Sequence, residues 1–179
     1  MHREDHWLCC FWCGGVGADV CVCRCAQVLF DDDMHAVTCS RDKSFLCWDL
    51  RREKRISSHT QRMGGINAVC LSRDQSLVLT AGQEKRITYW DLREAHPVKS
   101  IDPAHDGEGM CIAMSPTADV FASGGSDGVV KLWDMASGRC LTNGIGHSGV
   151  VRDIKFSPDG KQVVSTGTDG CIFVWNVYS

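Results

Sequence analysis

Four tryptophans, Trp48, Trp90, Trp133 and Trp175, stand 42, 43 and 42 residues apart. A period of this length is too short for a domain. It is the size of one supersecondary unit, which buries its apolar face only by stacking on its neighbours. Each Trp ends the same phrase. In the third copy it reads Gly124-Gly-Ser-Asp-Gly-Val-Val-Lys-Leu-Trp-Asp134: the end of a strand, a tight turn on Asp127-Gly128, and a second strand alternating Val129, Lys131, Trp133 against Val130, Leu132. Thr168-Asp-Gly-Cys-Ile-Phe-Val-Trp175, Gln83-Glu-Lys-Arg-Ile-Thr-Tyr-Trp90 and Arg41-Asp-Lys-Ser-Phe-Leu-Cys-Trp48 repeat it.

Upstream of each phrase lies a further strand and a polar turn. In the fourth repeat Val151–Phe156 reads as an inner strand, Ser157-Pro-Asp-Gly160 as its turn, Gln162–Thr166 as a middle strand and Cys171–Val177 as the third. Proline presets φ at the second turn position and glycine accepts positive φ after it. Met114-Ser-Pro-Thr and Leu71-Ser-Arg-Asp fit the same frame, with the apolar residue 19 positions before the Trp; for Phe30-Asp-Asp-Asp the spacing is 18. Segments such as Arg139-Cys-Leu-Thr142 read as an outer fourth strand, and no long helical periodicity occurs. The expected fold is all-β, with four units over 26–179, divided at about 26–50, 51–92, 93–135 and 136–179.

A repeat of four short strands closing on Trp-Asp resembles the WD40 family, whose repeats are blades of a β-propeller. The resemblance covers 26–179. It implies a buried hydrogen-bond network of His, Ser or Thr, Asp and Trp in each blade. The third repeat supplies His105, Ser123, Asp127 and Trp133, and the fourth His147, Ser165, Asp169 and Trp175. The second keeps Thr80 and Trp90, with Glu84 and Arg62 at the other two places. The first keeps Thr38, Asp42 and Trp48, with Val20 near the His position. The wording Phe45-Leu-Cys-Trp-Asp-Leu-Arg-Arg52 and Gln83 to Trp90 is similar to cilia- and flagella-associated WD-repeat proteins, which adds a ciliary location to the cytoplasmic one. Four repeats are fewer than the seven blades usual in the family, so the resemblance implies an incomplete propeller whose missing blades belong to a longer form.

Function follows from what this pattern permits and excludes. Family propellers bind other proteins, and the residues five places after each His position, Asn67, Met110 and Arg152, with Asp106 and Glu108 nearby, are the candidate contacts. A Ser–His–Asp set invites comparison with a nucleophilic triad, but these sets end on a Trp donor and recur, as a structural device does. The glycine pairs lack the Gly-Lys-Ser/Thr of a phosphate loop. The expectation is a non-enzymatic scaffold without cofactor. A net charge of −3 gives no global footing for nucleic acid or membrane. The basic run Arg51-Arg52-Glu53-Lys54-Arg55 keeps a nucleic-acid reading open as a rival, although no aromatic residues interleave it.

Six of the twelve cysteines lie before residue 26 and the rest are scattered singly, which suits a reducing cytosol better than a disulfide framework. Residues 1–25 match no repeat. Asp19 and Arg24 break them as a membrane span, and their acidic residues disfavour a signal peptide. Cys10, Cys13, Cys21 and Cys23 offer four thiolates for zinc, but a one-residue gap is a poor second knuckle. The expectation for 1–25 is a segment without ordered structure of its own.

Overall fold

The computed structural model describes residues 27–29, 35–94 and 96–177; Val20, Phe30 to Asp33 and the cysteine cluster of 1–25 lie outside them. The described chain is all-β. The first sheet holds β1 (Gln27–Leu29), β2 (His35–Cys39), β3 (Ser44–Asp49) and β4 (Lys54–Thr60). The second holds β5 (Ile66–Leu71), β6 (Leu77–Gly82), β7 (Ile87–Asp91) and β8 (Pro97–Ile101). The third holds β9 (Gly109–Met114), β10 (Val120–Gly125), β11 (Val129–Asp134) and β12 (Cys140–Ile145), and the fourth β13 (Val151–Phe156), β14 (Gln162–Gly167) and β15 (Ile172–Asn176). Every pairing is antiparallel between sequence neighbours, as short turns demand.

The outer strand of each sheet follows its Trp strand. Thus β4 lies in the repeat 51–92 by sequence yet pairs with β3 of the first sheet. Each repeat therefore covalently joins two consecutive sheets.

The sheets stack face to face. One core joins the first two through Val37, Phe45, Cys47, Ile66, Val78 and Trp90. The next joins the second and third through Leu79, Ile87, Tyr89, Ile112, Phe121 and Trp133, and a third core joins the last two through Cys111, Val130, Val151, Ile154 and Val163. Phe45, Ile87, Val130 and Ile172 hold one equivalent position, 42, 43 and 42 residues apart. The first three are 0%, 0% and 6% exposed, whereas Ile172 is 70% exposed, because no further sheet covers the forward face of β13–β15 among the described residues. The stack is open, as an incomplete propeller requires.

Cys47, Cys70, Cys111, Cys140 and Cys171 are free thiols. Cys39, Cys47, Cys70 and Cys111 are buried, while Cys140 and Cys171 are exposed. Cys140 is exposed because β12 is an outer edge strand. Burial raises the Cys47 thiol and pushes Cys70 and Cys111 up to about 12.

The tight turn before each Trp strand needs a residue at positive φ. Gly128 (75°) and Gly170 (74°) supply it in the last two sheets, but Lys43 (75°) and Lys85 (60°) occupy the equivalent places in the first two. A side chain there costs about 1–2 kcal/mol relative to glycine. Lys43→Gly is expected to raise the thermal midpoint, with a gain of about 1 kcal/mol once the extra unfolded-state entropy of glycine is subtracted. A lowered midpoint in a melting experiment would refute this account of the turn.

Candidate interaction face and its buried supports

The diagonal geometry of an antiparallel hairpin brings the network residues together. Phe121 is the register partner of Trp133, so Ser123, two residues further on, lies diagonally across on the same face. The Trp133 indole Nε1–H donates to Ser123 Oγ at 2.8 Å. Trp175 donates to Ser165 Oγ at 2.8 Å, Trp90 to Thr80 Oγ1 at 3.0 Å and Trp48 to Thr38 Oγ1 at 2.9 Å.

Two sheets extend this bond into a chain. Ser123 Oγ lies 2.7 Å from His105 Nε2, and His105 Nδ1 lies 3.0 Å from Asp127 Oδ2. Around His147 the corresponding distances are 2.8 Å to Ser165 and 2.9 Å to Asp169. One proton arrangement satisfies every member: Ser O–H donates to His Nε2, and Nδ1–H donates to the carboxylate. Each carboxylate also accepts N–H bonds that hold its turn, Asp127 from Asp106 and Val129, and Asp169 from Ser148 and Cys171. Ser123 and Ser165 are fully buried, so neither hydroxyl can meet a substrate. Room for the pair is reserved by glycine: a Cβ on Gly125 would stand 2.6 Å from His105 Nδ1 and closer still to Asp127 Oδ1.

Among the described residues the first two sheets show no such extension. Glu84 turns to Arg86, at 2.7 Å, and Arg62 is exposed. Asp42 binds its own turn through Ser44 N–H at 2.9 Å.

A second repeated contact carries no motif. Ser126 Oγ accepts the Glu108 N–H at 2.8 Å, Thr168 Oγ1 accepts Val150 N–H at 2.9 Å, and Gln83 Oε1 accepts Gly65 N–H at 2.8 Å. The side chain just before the turn acid thereby fastens the start of the inner strand. Three different residue types perform it, which hides it in the sequence; the common 42–43 residue interval is its one signal. His59 likewise belongs to no repeated motif. It is buried in β4, stacked on Phe45 with centroids 4.7 Å apart, and its Nδ1 has no hydrogen-bond partner among the described residues.

The candidate contact residues gather where inner strands begin. Asn67 is buried, and its amide donates to Gly109 O at 3.0 Å and Glu108 Oε2 at 3.3 Å, joining the second sheet to the third. Met110 packs beside it, with its sulfur 3.7 Å from the same amide nitrogen. Glu108 and Met110 are half-buried, while Asp106 and Arg152 are exposed. Lys85 Nζ donates to the Asp106 carbonyl at 2.7 Å, fixing that loop. Asn67 thus supports this face, and Asp106, Glu108 and Arg152 are its charged outer groups. Among the described residues no group of His, Cys, Asp and Glu side chains is placed to hold a metal ion, and Cys10, Cys13, Cys21 and Cys23 lie outside them. No described helix could cross a membrane.

Burial pushes the His105 imidazole below its ordinary value, against the pull of Asp127. Burial works against the Asp127 carboxylate too, but His105 and the Val129 and Asp106 N–H groups outweigh it and bring the pKa down. Asp169 is lowered by the Cys171 N–H, against burial and with help from His147.

The model of the WD domain, G-beta repeat (WD40), matches residues 51–91, 94–134 and 138–176. Cilia- and flagella-associated protein 52 of Chlamydomonas reinhardtii is 34% identical over 153 residues, covering 86% of this chain and 25% of that protein. The protein of the same name from Bos taurus is 32% identical over 133 residues, 72% of this chain and 20% of that protein. Nuclear distribution protein PAC1 of Arthroderma otae is 28% identical over 147 residues, 70% of this chain and 32% of that protein. The chain spans about a quarter of the length of the first of these relatives.

Two measurements test the supports. Ser123→Ala strands both the Trp133 N–H and His105 Nε2, at about 1–3 kcal/mol for each buried orphan. Thr80→Val strands one donor and should cost less. Equal losses in denaturant titrations would contradict the extended chain. For pH, the unfolded imidazole titrates near 6.5 and the folded His105 lower, so the unfolded state takes up protons first. Thermal midpoints should be flat between about pH 7 and 8 and fall as pH drops through about 6.5. A further loss is expected below about pH 4, where the depressed carboxylates of Asp127 and Asp169 begin to protonate in the unfolded chain. A midpoint that rises between about pH 7 and 5 would overturn the assignment.

Proposed function

The chain belongs to the WD40 family, and from that premise we propose that it is a non-enzymatic scaffold that binds other proteins within a ciliary or flagellar assembly. The observation that carries this reading is the 34% identity over 86% of the chain to a cilia- and flagella-associated protein, on a stack of sheets whose serine–histidine–aspartate sets are closed. Buried hydroxyls and open charged rims divide the molecule into a part that holds shape and a part that offers contacts. Asp106, Glu108 and Arg152 on the inner-strand face are the contact set, supported from below by Asn67 and Met110. Mixed charge on this rim suits a protein partner of matched pattern better than a polyanion, which would meet Asp106 and Glu108 unfavourably. Neither cofactor nor metal is required for this role.

The test is retention on isolated axonemes. The tagged chain, expressed in a ciliated cell, should remain with the axonemal fraction after detergent extraction. An Asp106→Arg, Arg152→Glu double variant, exposed at both positions, should leave it while keeping the wild-type circular dichroism spectrum. Complete release of the wild-type chain by detergent would remove the ciliary reading. Retention of the double variant would remove this face from it.

A further inference from the structure

The strand β4 differs from the other outer strands in charge. Between Leu50 and Met63 the chain carries Arg51, Arg52, Lys54, Arg55 and Arg62 against the single acid Glu53, within a protein of net charge −3. All of these side chains are exposed, and Arg51, Lys54, Arg55 and Arg62 pair with no carboxylate among the described residues. The outer strand β12 is uncharged, and β8 begins with Pro97 and carries one lysine, whose Nζ is taken by the Ala136 carbonyl at 3.0 Å.

The backbone of β4 is also available. Gln61 N–H bonds Lys43 O at 2.9 Å, which fixes the alternation of the ladder with β3. His59 and Ser57 therefore turn their backbone groups inward to Phe45 and Cys47, and Ser58 and Thr60 turn theirs outward. No described strand pairs with that edge. Alongside it runs an open groove of about 530 Å³, walled by Ser58, His59, Thr60 and Arg62 on one side and Leu92, Arg93, Glu94 and His96 of the next sheet on the other. His59, 6% exposed, brings to this wall the buried Nδ1 that has no partner among the described residues. Arg93 is already neutralised by Asp91, at 2.9 and 2.6 Å.

We propose that the β4 edge and its groove bind an extended acidic peptide, which adds as a fifth antiparallel strand to the first sheet. Strand addition supplies main-chain bonds to Ser58 and Thr60, and the flanking cations select the sequence. Arg55 and Arg62 bracket about 20 Å of strand, the length of a segment of six or seven residues. The favoured peptide has carboxylates at its ends, facing Arg51 to Arg55 and Arg62, where guanidinium–carboxylate bonds form. Its centre is uncharged, because Glu94 lines the groove and would repel a further carboxylate there. Nucleic acid is the less favoured occupant: the charged strip is built around a peptide edge that a phosphate backbone cannot pair. The inference rests on the scaffold reading in kind but uses a different surface, so axonemal retention and peptide binding fail separately.

The probe is a fluorescein-labelled heptapeptide with two glutamates at each end and valine, threonine and valine between, titrated with the full 179-residue chain in anisotropy measurements. Binding that weakens with salt is expected. Arg55→Glu with Arg62→Glu should weaken it by about tenfold or more, as loss of two charge-assisted contacts implies. Ser58→Pro removes an outward N–H that no internal bond uses, and should weaken binding by about tenfold with charge unchanged. The same peptide N-methylated at its central amides needs no protein variant and should also bind about tenfold more weakly. The proposal is overturned if the parent peptide does not bind, if the N-methylated peptide binds equally, or if an oligothymidylate binds more tightly than the peptide.

Discussion

A buried indole carries one N–H that water can no longer reach, and the rest of this structure is arranged around that donor. Trp90 and Trp133 lie almost wholly buried between sheets, where their rings pack into the first two joints. The ring can be placed there only if its nitrogen is satisfied. A hydroxyl diagonally opposite on the hairpin does so in all four sheets. In the last two sheets the hydroxyl is in turn oriented by a histidine, and the histidine by a turn carboxylate. The polar chain thus links the joint between sheets to the tight turn at the edge, so that core packing and loop geometry are decided together.

The first two sheets meet the same constraint with less. They keep the Trp–Thr bond and the Phe45–His59 stack but hold lysines at positive φ in place of the turn glycine. Stacked repeats share stability with their neighbours. The second sheet, flanked on both sides, has its inner strand buried at every position from Ile66 to Leu71. Apolar burial compensates there for the missing polar chain.

Much of this was legible in the residues, for a physical reason. A hairpin with a three-residue turn has one register, so a spacing of 10 residues between Ser123 and Trp133 dictates that the two meet. The same spacing holds for Thr38, Thr80 and Ser165. What could not be read depends on placement between repeats. Arg62 stands at the sequence position of a histidine but is exposed, while His59, in a strand with no motif, is the imidazole buried beside Trp90. Asn67 has the spacing of a surface contact and turns out to be a tie between sheets, because its neighbour's Gly109 carbonyl lies within reach. Lys43 and Lys85 conceal the turn that glycine announces in the other two repeats. The groove beside β4 is made by two sheets and belongs to neither sequence segment.

The distribution of thiols has a consequence of its own. Cys47 lies sealed in the first sheet, Cys70 in the second and Cys111 in the third. A thiol becomes a nucleophile only as thiolate, and burial suppresses that form for Cys47, Cys70 and Cys111 while the sheets stay closed. Each of these sites therefore records breathing of its own joint: alkylation waits on separation of the sheets. The protein carries an internal set of clocks, spaced along the stack, whose rates would rank its joints from the loosest to the tightest.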